Sequence, residues 1–95
     1  KDKLSAAKDK LQAAVTIWEK ALTESNLNDK NARIDKNVTT ALYVNLMEAY
    51  LWMDDFSNAE MNGNKAINMD NKYGRDARDR MPMVQWQKDR YNANN

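Results

Sequence analysis

Residues 41–70, ALYVNLMEAYLWMDDFSNAEMNGNKAINMD, constrain the fold of this chain more than any other segment. Leu42, Tyr43, Leu46, Ala49, Tyr50 and Met53 fall on one face of a helix. Val44, Met47 and Leu51 add apolar surface on another face, and a helix that is apolar on more than one side packs between neighbours. After Asp54-Asp55 a second stripe follows, built from Phe56, Ala59, Gly63 and Ala66. The spacing predicts helices over 38–53 and 56–69 joined by a tight turn. Asp55 is placed to cap the second, because its carboxylate can accept free amides of the first turn. Gly63 costs about 1 kcal/mol of helix propensity relative to Ala. That loss makes sense where a bulky side chain packs on the bare backbone, with Trp18 and Tyr43 as candidates.

The remainder also reads as helix. Leu4, Ala7, Leu11, Ala14, Trp18 and Ala21 form one stripe and predict a helix over 2–25. Residues 26–36, NLNDKNARIDK, favour turns because Asn and Asp side chains compete with helical backbone bonding. Leu27 and Ile34 are expected to anchor this linker, and Asn37 or Thr39 to cap the next helix. Residues 70–74, DNKYG, predict a break. A last helix over 75–92 has Ala77, Met81, Val84 and Tyr91 along one side, with fraying from Tyr91 onward. Pro82 either kinks this helix or opens a new one at its first turn. With two Gly and one Pro in 95 residues, the chain is expected to form a single all-α domain of about four helices.

Composition removes several functional classes. Neither Cys nor His is present, so disulfides, thiolate metal sites and Cys- or His-based catalysis are excluded. Glycine-rich phosphate loops are absent as well. The expectation is a non-enzymatic chain with no metal and no cofactor. No run of about 18 apolar residues exists to span a membrane. A net charge of +1 argues against a dedicated nucleic-acid binder. The charge is uneven, however. Residues 41–70 carry one basic and five acidic side chains, and residues 71–95 carry six basic and three acidic. The simplest reading is a basic segment lying beside an acidic hairpin, with an acidic external ligand as the alternative.

The fingerprint Tyr43-x2-Leu46-Met47-x2-Tyr50, then Phe56, Ala59, Ala66 and Asp70, resembles a tetratricopeptide (TPR) repeat. Tyr43 stands where that family has Trp. Three positions depart from it: Met47 replaces the usual Gly, Gly63 a large residue, and Asn71 the usual Pro. Ala14-x3-Trp18-x2-Ala21 resembles the second helix of a preceding repeat, and the segment from 75 would be a capping helix. A generic four-helix bundle is the alternative architecture. The resemblance implies right-handed stacking of helical hairpins and a protein–protein interaction or scaffolding role.

By the same resemblance the first helix of the hairpin lines a groove, which assigns Val44, Asn45, Glu48, Leu51 and Trp52 to a peptide or partner helix. Trp52 lies outside the Leu46–Tyr50 stripe, and Trp is enriched where binding energy concentrates. Packing of Trp52 on the third or last helix is the alternative. Only Asn45 fits the habit of family members that grip a C-terminal carboxylate. Asp54-Asp55 reads as capping and solvation. In RDARDRM at 75–81, the pairs Arg75/Asp79 and Asp76/Arg80 are spaced to stabilise a helix. A phosphate site on Arg75, Arg78 and Arg80 is the sharper alternative. Asn-rich, Cys-free helical chains such as this one, with thirteen Asn, resemble exported proteins of gut-type bacteria. That implies periplasm or cell surface, with cytoplasm left open. Starting at Lys1, the chain reads as a trimmed piece of something longer. Its structural alternatives are therefore the helical end of a larger exported protein or a homo-oligomerisation domain.

Overall fold

The computed structural model describes residues 3–27 and 36–94. These form four helices and no strand: α1 (Lys3–Leu27), α2 (Lys36–Trp52), α3 (Phe56–Asn68) and α4 (Lys72–Asn94). The all-α expectation holds. Among the described residues α1 packs on α2 alone, whereas α2, α3 and α4 all pack on one another. A closed four-helix bundle would bring its first and fourth helices together, so this is an open stack. The molecule measures 47 × 30 × 16 Å, and the short dimension suits helix layers spaced 8–10 Å apart.

The turn between α2 and α3 is a helix stop followed at once by a helix start. Asp54 adopts a left-handed conformation, φ 60°. Its amide donates to the Leu51 carbonyl at 3.1 Å, and the Asp55 amide donates to the Tyr50 carbonyl at 2.9 Å, the bonding pattern of a Schellman stop. Asp55 then caps α3 as expected, accepting from the Asn58 amide at 3.2 Å and from the Asn58 side chain at 2.8 Å. Asp70 ends α3 with the same left-handed backbone, φ 50°.

The expected break at 70–74 is shorter than the sequence suggests. Asn71 accepts at Oδ1 from the amides of Tyr73 and Gly74, both at 3.1 Å, and so starts α4 at Lys72. Its Nδ2 donates to Thr40 Oγ1 at 2.8 Å, and the Thr40 hydroxyl donates to the Lys36 carbonyl at 2.7 Å. Thr40 is fully buried and both of its hydrogen-bonding roles are filled. Gly74 therefore lies inside α4. A Cβ there would stand 2.5 Å from the Ala66 carbonyl oxygen, so the bare backbone is what lets α4 start against the end of α3.

Gly63 does receive bulky neighbours, but they are methionines and neither Trp18 nor Tyr43. A Cβ at Gly63 would lie 2.5 Å from the Met81 sulfur and 2.8 Å from the Met47 sulfur. Unbranched thioethers fit such a shallow, irregular seat well. Pro82 sits inside one continuous α4. It is exposed, so the carbonyl one turn earlier, which proline cannot satisfy, can meet water. Tyr91 is held in the helix and does not begin a frayed end. Its ring meets Phe56 edge-on at 5.6 Å and 63°.

The seam of α1 differs from the expected stripe. Val15 and Leu22 are the buried residues, Leu11, Ala14, Trp18 and Ala21 are half-buried, and Ala7 is exposed. The larger side chains win the contact with α2, while Ala7 lies on the outer face. Helix α2 begins at Lys36, so Asn37 and Thr39 lie within its first turn and do not cap it. Leu27 is the last helical residue of α1, and Ile34 falls outside the described residues.

One polar bond ties α1 to the core. Tyr50 Oη donates to Glu19 Oε2 at 2.9 Å. Burial, and then this bond to a carboxylate, push the Tyr50 phenol from 10.0 up to about 12. Below pH 10 the phenol is neutral in both folded and unfolded chains. Between pH 10 and about 12 only the unfolded chain releases the proton, so stability falls as pH rises through that window. The Tyr50 share of that loss is on the order of 2 kcal/mol. Urea titrations at pH 9 and pH 11.5 should therefore show a smaller pH difference in Tyr50→Phe than in the unaltered protein. An equal difference in both would remove Tyr50 as the cause.

Candidate functional site

Because α1 covers only one side of α2, the C-terminal half of α2 keeps a free flank. Helix α4 runs alongside in the same direction, as the Thr40–Asn71 bond and the Glu48–Arg80 ion pair fix the two in parallel register. Between them opens a groove of about 790 Å³. From α2 and the following turn come Met47, Glu48, Leu51, Trp52 and Asp54. From α4 come Asp79, Arg80, Pro82, Met83, Val84 and Gln87.

The groove has an apolar bed and a charged rim. Met47 and Val84 are nearly inaccessible and form the floor, and Leu51 is half-buried on the wall. Trp52 is 71% exposed and Met83 52% exposed, so two large apolar side chains stand at the lip without cover. Together with the apolar floor they form an exposed apolar patch. The expected alternative, Trp52 packed on α3 or α4, does not hold. At the rim Arg80 joins Glu48 across the groove and Asp76 on its own helix at 3.2 Å. Further along, Lys88 meets Glu60 at 3.6 Å. The basic segment therefore lies against the acidic hairpin, as the charge distribution suggested.

Of the residues assigned from sequence, Glu48, Leu51 and Trp52 come together in the groove. Val44 does not: it is 6% exposed and belongs to the core. Asn45 is exposed but does not line the groove. The α4 wall was not anticipated as a site. Its signal was present in Pro82-Met83, a helix-incompatible residue beside a large apolar one in an otherwise charged segment. Of the two ion pairs expected in 75–81, Asp76–Arg80 forms and Arg75–Asp79 does not. An acid four residues before a base is the better order on a helix, which favours the former. With Arg80 held by two carboxylates, a phosphate site on Arg75, Arg78 and Arg80 loses one of its three cations.

Among the described residues no group of three acidic side chains is placed to hold a metal ion, and no helix is long and apolar enough to cross a membrane. Compared with protein-family models, with characterised proteins and with solved structures, the chain matches none.

Proposed function

We propose that this domain is a protein–protein interaction module that receives a helical or extended segment of a partner in the α2–α4 groove. The observation that carries the reading is the uncovered Trp52 at the lip of an apolar channel floored by Met47 and Val84. Methionine-lined grooves with an aromatic anchor adapt to apolar side chains presented along one face of a helix. The resemblance to TPR hairpins supports it from a second side. Two of the three departures from that pattern compensate each other, because Met47 lies in the seat that Gly63 vacates. The third, Asn71, supplies a cap to the helix that follows.

The test is affinity against stability in Trp52→Ala. Removing a side chain that is 71% exposed should leave the melting temperature within about 2 °C of the unaltered protein. Affinity for a fluorescein-labelled amphipathic Leu-rich helical peptide, read by anisotropy, should fall by about tenfold or more. Unchanged affinity would remove Trp52, and with it the groove, from the reading.

A second reading rests on α1. Ile17 is 67% exposed on its outer face, so α1 offers an apolar contact to a neighbouring domain or a second copy. Isolated helical repeats gain stability by stacking. A melting temperature that rises with protein concentration and is flattened by Ile17→Lys would favour this role.

A further inference from the structure

We infer that the segment received by the α2–α4 groove is a basic amphipathic helix, with lysine or arginine flanking its apolar face. The inference rests on the groove reading above and adds the chemistry of the occupant. The groove is lined by three carboxylates, Glu48, Asp54 and Asp79, against one guanidinium, Arg80. Arg80 is already committed to Glu48 and to Asp76. Among the described residues Asp54 and Asp79 join neither an ion pair nor a side-chain hydrogen bond, and they line different walls, one in the turn after α2 and the other on α4.

Two carboxylates on different walls of an apolar bed, staggered along it by the register that Thr40–Asn71 and Glu48–Arg80 set, favour cations on both edges of an inserted apolar face. The C-terminal end of α2 lies at the same site and adds the negative pole of a helix dipole. Asp54 also keeps a left-handed conformation, φ 60°, where glycine would be the unstrained choice. The preference is local: the whole chain carries +1, so general attraction would not draw a basic ligand to it.

The experiment uses two labelled peptides of one length and one Leu pattern, with Lys on the flanks of the first and Glu on the flanks of the second. At low ionic strength the Leu/Lys peptide should bind about tenfold more tightly than the Leu/Glu peptide, the sum of two rim pairs. Asp54→Asn combined with Asp79→Asn should abolish the difference. Asn tolerates the left-handed backbone at position 54, so the fold is kept. About 0.5 M salt should shrink the difference too.

Equal affinity for both peptides, lost in Trp52→Ala, would overturn the basic occupant while leaving the groove reading intact. Binding of neither peptide would overturn both. A preference for Leu/Lys that survives the double Asn substitution would place the cations elsewhere and overturn the inference. Concentration-dependent dimers that dissociate in Trp52→Ala would make the occupant a second copy and overturn it as well.

Discussion

Gly63→Phe should lower stability by about 3 kcal/mol, enough to unfold much of a domain this small. A Cβ at this position already stands within 3 Å of both methionine sulfurs, so a benzyl group must displace Met47 and Met81 together. Met47→Gly alone should cost a similar amount or more, from an emptied buried site and a flexible glycine in α2. Combined, the two substitutions should be far less damaging than their sum, because the ring enters the space that the methionine leaves. A coupling of at least about 2 kcal/mol in urea denaturation is the expected result. Strict additivity would mean that the two positions do not exchange volume. Gly63→Ala provides the mild control. The sulfurs belong to unbranched, flexible side chains that can shift more readily than backbone, and Ala regains about 1 kcal/mol of helix propensity.

Gly74→Ala should behave in the opposite way. In an ordinary helix interior the change stabilises by roughly 1 kcal/mol. Here the added methyl meets the Ala66 carbonyl oxygen at 2.5 Å, and a backbone oxygen cannot swing aside. Helix α4 must lift from the end of α3. That strains the Asn71 cap at the Tyr73 and Gly74 amides and the buried Asn71–Thr40 bond behind it. A net loss of about 2 kcal/mol follows, with the melting temperature down by roughly 10 °C. A gain in stability would show that α3 and α4 are not in backbone contact at Gly74.

These two glycines mark what the sequence makes legible and what it does not. The hairpin at 41–70 was readable because both helices carry strong periodic stripes and Asp55 offers a recognisable cap. That Gly63 had to seat something large was readable as well, but which side chain was not. The answer depends on Met81, which α4 brings back from 18 positions away. Gly74 resembles a helix breaker in DNKYG. Only the close approach of α3 and α4 shows it to be a helical residue chosen for its lack of a side chain. Helix α1 misleads in another way. Its Ala-rich pattern allows two neighbouring stripes, and among the described residues α1 meets one helix alone, so no second helix there enforces the choice. The seam through Val15 and Leu22 is selected by side-chain size.

The candidate site divides along the same line. Glu48, Leu51 and Trp52 lie one helical turn apart and could be read from α2 alone. Val44 extends the same spacing by one turn toward the N-terminus, where the stripe passes into the core. The α4 wall required the parallel register of α2 and α4, which Thr40–Asn71 and Glu48–Arg80 set and no local pattern announces.

The central claim is that a partner segment enters between α2 and α4 at Trp52. A nitrogen–proton correlation spectrum tests it most directly, because the three tryptophan indoles serve as separate reporters, one on each of α1, α2 and α4. Trp52 stands at the groove, Trp18 lies on the α1 seam, and Trp86 is on α4 with Arg90 stacked over its ring at 4.8 Å. On titration with the Leu/Lys peptide, the Trp52 indole and the amides of Glu48, Leu51, Met83 and Gln87 should shift together, with the Trp18 and Trp86 indoles unmoved. Shifts centred on Trp18 or Trp86 with Trp52 unmoved would contradict the account.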